Sequence, residues 1–145
     1  TPQTLAFKEV YGALQTGVVD GQENTWSNIY SQKFFEVQDG VTETNHQFLT
    51  YFMVTSNQFL ESLGDETREQ FLAIVDEVST EYNNRSTAIN EEAKQKIIEA
   101  GGTVRELTSE QRQEWVDAMK PVWNQFEDTI GAEIIEAAVE SNNNI

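Results

Sequence analysis

The residues best equipped for chemistry lie between Val19 and Asn28, in the run Val-Asp-Gly-Gln-Glu-Asn-Thr-Trp-Ser-Asn. This run sets amides, a carboxylate and an indole just after a short apolar segment. Asn24 can donate an amide hydrogen to a ligand oxygen, and Trp26 can wall off a small apolar body. That is the chemistry of non-covalent recognition. A packed turn running into an N-cap explains the same run equally well, and spacing leaves the two readings level. His46 is the one histidine. A lone imidazole on an extended segment more often closes a structural hydrogen bond than works as an acid or base. Carboxylate pairs such as Glu91-Glu92 belong on solvated helix faces. No Asp-x-Asp-x-Asp-Gly loop, His-x-x-x-His helix or glycine-rich phosphate loop is present. Without Cys there is no thiolate nucleophile, thiolate zinc site or disulfide. The expectation is a chain that is not an enzyme and needs no metal or cofactor.

These residues need a frame to hold them. The 145 residues carry 25 Asp and Glu against 9 Lys and Arg, a formal net charge of -16. Nucleic acid and anionic membrane surfaces are therefore excluded as partners, since both demand a basic footprint. A hydrophobic fraction of 38% is enough to build a core. Leu5 to Leu14 reads as a helix stopped by Gly17. Val18-Val19 reads as a brief buried strand entering the Asp20-Gly21 turn. That would set Asn24 near the carboxyl end of a strand, where open α/β sheets bind ligands. A second helix is expected from Trp26 to Phe35, and a turn at Asp39-Gly40. Thr42 to Thr55 is the best strand candidate. Phe48 to Val54 is apolar on both faces, the pattern of a strand in the middle of a sheet. Thr103 to Leu107 is a weaker strand.

From Asp65 to Ala100 the apolar positions Phe71, Ile74, Val75, Val78, Tyr82, Ile89, Ala93 and Ile97 recur mostly at spacings of three and four. Asp65 is placed to cap this helix and Gly101-Gly102 to end it. At 1.5 Å per residue it reaches about 54 Å, longer than the ~30 Å width of a small domain. Such a helix either crosses two lobes or forms a dimer interface. Its polar middle, Asn83 to Thr87, is weak in helix propensity and is a point for a bend or break. Thr108-Ser109-Glu110-Gln111 resembles a capping box. The helix it opens carries an internal Pro121, which should kink it. Gly131 precedes a last helix, Ala132 to Ser141, and Ser141 to Asn144 is expected to fray. So few strands for so many helices make an awkward complete domain.

The stretch Ala6 to Asn24 closely resembles the signature of the substrate-binding proteins of TRAP transporters, the DctP family. Ser27 to Phe34, Thr44-Asn45-His46, Glu106-Leu107-Thr108 and Pro121-Val122 fit the same family in the same order. Thr25 departs from it, since many members have Pro there. Thr25-Trp26 is more similar to the dicarboxylate-binding members. The resemblance implies an α/β fold of two lobes joined by a hinge, the periplasmic-binding-protein-like fold, with one long helix spanning both lobes. It covers only the family's C-terminal half. Residues 1–145 are thus expected to be the helix-rich, strand-poor C-terminal portion of a longer periplasmic protein. The N-terminal lobe, and in the precursor a signal peptide, would precede it.

The implied function is capture of a small organic acid, a four-carbon dicarboxylate by the Thr25-Trp26 likeness. The loaded protein delivers it to the membrane permease of a TRAP transporter. The implied anchor is an Arg paired with the substrate carboxylate, upstream of the segment matched. From Thr1 to Thr67 the only basic side chains besides His46 are Lys8 and Lys33. Carried over by position, Phe7 matches an aromatic against the ligand, and Asn24 the amide that hydrogen-bonds its carboxylate. His46 matches a residue of the polar network behind the site. Glu23 matches a carboxylate near the hinge and an Arg partner. Trp26 is added from its place beside Asn24. The competing reading, from a different class, is an acidic helical interaction or dimerisation module built on the long helix. In either case apolar surface on the central strand and long helix should make the isolated chain self-associate.

Overall fold

The computed structural model describes residues 1–142. It divides between Arg105 and Glu106 into two compact units. The first holds α1 (Val10–Gln15), α2 (Trp26–Ser31), β1 (Val41–Glu43), α3 (Asn57–Ser62) and α4 (Asp65–Glu99). The strand β2 (Val104–Glu106) lies at the boundary, and the second unit holds α5 (Ser109–Ile130) and α6 (Ala132–Asn142). The strands β1 and β2 pair in a two-stranded sheet.

The core of the first unit forms where α2 packs on the last third of α4. Leu14, Ile29, Phe34 and Ile97 are buried together, with Val41 and Val104 of the small sheet packed against them. Each element ends for a local reason. Gly17, at φ 71°, lets the chain leave α1 by a left-handed step. Thr25 caps α2 by accepting from the Asn28 backbone N–H at 3.4 Å. A hydroxyl can do this and a Pro ring cannot, so the departure at Thr25 has a structural use. Lys33 adopts a left-handed conformation at φ 59° and turns the chain into a short 3₁₀ helix, Phe34–Val37.

Several expectations are corrected. The first helix begins later than Leu5, as a 3₁₀ turn over Phe7–Glu9 that runs into α1. Val18 and Val19 form no strand. Their N–H groups donate to the carbonyl of Ala13 at 2.9 and 3.3 Å, folding them onto the end of α1 and leaving none for a ladder. The expected strand Thr42 to Thr55 shrinks to Val41–Glu43, because its neighbour β2 is equally short. Residues 44–56 have no regular structure. Phe48, Phe52 and Val54 stand 96%, 81% and 85% exposed, where the pattern predicts burial.

The long helix α4 is real and unbroken, about 52 Å by its rise. Its N-cap is Gly64 rather than Asp65, which sits in the first turn beside Glu66, where the helix dipole favours negative charge. Its polar middle does not break. Arg85 pairs with Glu81 one turn back at 3.3 Å, and the Ser86 hydroxyl donates to the Asn83 carbonyl. In the second unit the capping box is complete: Gln111 N–H donates to Thr108 Oγ1, and Thr108 N–H to Gln111 Oε1. Helix α5 continues through Pro121. Ser141 and Asn142 are the last residues of α6, and the remainder of the tail expected to fray lies outside the described residues.

Candidate functional site

The first unit contains a cleft of about 440 Å³. Three stretches line it: the approach to α2 (Glu23 to Trp26), β1 and the chain that follows (Val41 to Leu49), and one face of α4 (Ser86, Thr87, Asn90, Glu91 and Lys94). Four of the five residues singled out from sequence, Glu23, Asn24, Trp26 and His46, converge on it. Phe7 does not. It packs edge-on against Phe34, ring centroids 5.8 Å apart, and remains 47% exposed.

Asn24 is oriented by its neighbours. Its Oδ1 accepts from the Thr25 backbone N–H at 3.1 Å and from Asn28 Nδ2 at 2.6 Å. Both lone pairs of that carbonyl are thus used. The amide nitrogen Nδ2 donates to no protein group among the described residues. The half of Asn24 left for a ligand is therefore the donor half.

Trp26 is held by its indole N–H, which donates to Glu43 Oε1 at 3.2 Å. The other oxygen of Glu43 accepts from Lys94 Nζ at 2.7 Å, in a pair only 21% and 18% exposed. Lys94 Nζ also lies 5.6 Å from the centre of the Trp26 ring, within cation–π range. One carboxylate thus ties α2, β1 and α4 together. Asn90 of α4 adds a second tie, accepting the Ser27 N–H at 3.1 Å.

His46 and Glu23 form a looser group at the rim. Thr44 Oγ1 lies 2.6 Å from His46 Nδ1, while Nε2 faces Glu23 Oε2 at 3.6 Å. Glu23 also accepts from Gln47 Nε2 at 3.1 Å. Both partners of the His46–Glu23 contact are about half exposed, so it adds little stability.

The carboxylates of Glu23, Glu43 and Glu91 outnumber the ammonium of Lys94 along the cleft. Among the described residues no three His, Asp or Glu side chains converge as a metal site. What the cleft offers chemically is an aromatic wall, an apolar floor from Ile29 and Val41, and an oriented amide donor. Sequence reasoning missed Glu43, Asn90 and Lys94; of the polar run in the middle of the long helix, Ser86 and Thr87 face the cleft, and Asn90 and Lys94 follow one and two turns on.

Comparisons with known proteins bear on the family and the fold. The C4-dicarboxylate-binding periplasmic protein DctP of Vibrio cholerae is 60% identical over 141 residues, covering 97% of this chain and 42% of that protein. The protein of the same name from Shewanella loihica is 51% identical over 142 residues, again 97% of this chain and 42% of the relative. The chain thus spans about two fifths of the length of these curated relatives. A TRAP periplasmic solute-binding protein from Shewanella oneidensis, solved with bound succinate, superposes with a TM-score of 0.86 at 47% identity. The match covers 92% of this chain and 44% of that one. One from Pseudomonas aeruginosa with bound L-malate gives 0.81 at 38% identity, over 85% of this chain and 43% of its own. These neighbours carry the same helix-rich fold, and they serve solute binding rather than catalysis. Residues 1–129 match the family described as bacterial extracellular solute-binding protein, family 7, and the chain belongs to that family, DctP.

Proposed function

We propose that this chain is the C-terminal portion of a periplasmic receptor that captures a four-carbon dicarboxylate between two lobes and hands it to a TRAP membrane permease. The observation that carries the reading is Asn24. Its carbonyl is saturated by Thr25 and Asn28, so it turns an N–H donor to the cleft, which suits a carboxylate oxygen. Trp26, fixed by Glu43, supplies a flat wall for a short carbon chain. The wall itself is acidic, so the positive anchor must come from elsewhere in the receptor. A planar guanidinium upstream of Thr1 is the group that fits, through two parallel charge-assisted bonds. Glu23 and His46 act at the rim, as part of the polar network behind the ligand. Phe7 enters the ligand shell only as the lobes close, since here it packs on Phe34.

The test is calorimetric titration of the full-length protein with succinate, malate and fumarate. Heat of binding, abolished by Asn24→Ala, supports the reading. Absence of heat with all three acids removes the dicarboxylate assignment.

A second reading rests on α4. Ile74, Val78 and Tyr82 follow one another at four-residue steps and are 59%, 54% and 57% exposed. That stripe is what an acidic helical dimerisation module would use. The same surface suits a lobe of the receptor lying outside this chain, and the cleft chemistry favours the receptor.

A further inference from the structure

A carboxamide presents two ends of opposite chemistry and nearly the same shape. Rotation about the terminal torsion of an Asn exchanges N–H donor for carbonyl acceptor with little steric change. Toward a ligand carboxylate, one orientation makes a charge-assisted hydrogen bond and the other sets oxygen against oxygen. Shape alone does not choose between them, so the neighbours must.

Resting on the reading of Asn24 as the carboxylate donor, we propose that Asn28 is a positioning residue that, with the Thr25 N–H, fixes which end of the Asn24 amide meets the ligand. Asn28 lies four residues beyond Asn24, one turn into α2, which brings the two side chains together. Its Nδ2 carries two hydrogens. One goes to Asn24 Oδ1 at 2.6 Å, and the other to the Tyr51 hydroxyl oxygen at 3.0 Å. The Thr25 backbone N–H, a donor that cannot turn, fixes the Asn24 oxygen inward at 3.1 Å, and Asn28 Nδ2 adds a second donor on the same oxygen. The Tyr51 hydroxyl, which can donate as well as accept, keeps the Asn28 side chain in reach without choosing its end. Turning Asn24 over would set its NH₂ against the Thr25 N–H and lose that bond. The Tyr51 contact also gives the irregular segment after β1 a use, since it carries Tyr51 to the start of α2.

The proposal is tested on the full-length protein by succinate titrations. Asn28→Asp keeps the shape but replaces the donor with an acceptor. Asn24 then turns its nitrogen toward Asp at 28 and its oxygen toward the ligand. The expected loss of affinity is about tenfold at about pH 7.5. A protonated carboxyl donates again, so the ratio of wild-type to variant affinity should shrink as pH falls toward about 4. Repulsion of the dianion by the added carboxylate would recover in the same way, so the neutral variant Asn28→Leu is measured beside it and should bind about threefold more weakly than wild type. Wild-type affinity in Asn28→Asp, or a ratio independent of pH, overturns the proposal. If Asn28→Asp does not fold, Asn28→Leu decides: about threefold weaker binding supports the proposal, and unchanged affinity overturns it. Asn24→Ala separates the two levels. If it binds succinate like wild type, the reading of Asn24 fails and the positioning role of Asn28 with it. If it loses binding while Asn28→Asp does not, only the positioning role fails.

Discussion

Glu43 is the residue whose loss can be worked out most directly from the structure. Its carboxylate accepts from Trp26 on one oxygen and from Lys94 on the other, at 3.2 and 2.7 Å. Glu43→Gln keeps the side-chain length and an acceptor for the indole, while its NH₂ replaces the oxygen that accepts from Lys94, so the ion pair and its hydrogen bond are lost together. Unit charges 4 Å apart attract by roughly 4 kcal/mol at an effective dielectric of about 20, before desolvation is subtracted. Exposed pairs retain only about 0–1 kcal/mol of such attraction. Breaking fully buried pairs costs about 3–5 kcal/mol. Here the two side chains are 21% and 18% exposed, which places the pair between these limits. The expected coupling is about 1–2 kcal/mol. It is measured as a double-mutant cycle: Glu43→Gln, Lys94→Met and both together, by urea unfolding of the full-length protein. Each single variant should lower stability, and the double should cost less than their sum by at least about 1 kcal/mol. Additivity within about 0.3 kcal/mol would refute the view that this pair ties the small sheet to the long helix.

Two further outcomes follow from packing. Ile97 is fully buried against Leu14, Ile29 and Phe34, so Ile97→Ala should cost about 2–5 kcal/mol in the same urea assay, and Ile97→Val only about 0.5–1.5 kcal/mol. The isolated chain, with Phe48, Phe52, Val54, Ile74 and Val78 exposed, should self-associate as its concentration rises. Light scattering checks this, and a monomer at every concentration would contradict it.

What could be read in the residues was mostly local. The capping box at Thr108, the stop at Gly17 and the start and end of α4 each depend on neighbours within one or two turns. The polar run from Glu23 to Trp26 and the distant His46 line one cleft. The failures were of two kinds. Val18-Val19 has strand-forming side chains, but the Ala13 carbonyl at the end of α1 captures both N–H groups first. Phe48 to Val54 is apolar on both faces like a central strand, yet a strand needs a ladder, and β2 stops at three residues. The cleft's own supports were invisible for a third reason. Glu43 and Lys94 are 51 positions apart, and Ser27 and Asn90 are 63 apart, separations that no periodicity links.

The electrostatics of the cleft show which of its groups would suit the proposed ligand. Three carboxylates line it, and its ammonium already lies 2.7 Å from one of them. Such a wall cannot attract a dianion by charge. What it can do is avoid expelling one, by meeting it with an N–H that carries no charge of its own. An amide is suited to this only if its carbonyl is kept away from the ligand. That requirement is why the supports of Asn24 matter as much as Asn24 itself. It also separates affinity from selectivity. On the proposed function, a cation elsewhere in the receptor would supply most of the attraction, and it would attract many organic acids alike. Trp26 and the oriented amide, held at the start of α2 by contacts that reach β1 and α4, would then set the shape and hydrogen-bond pattern the acid must match.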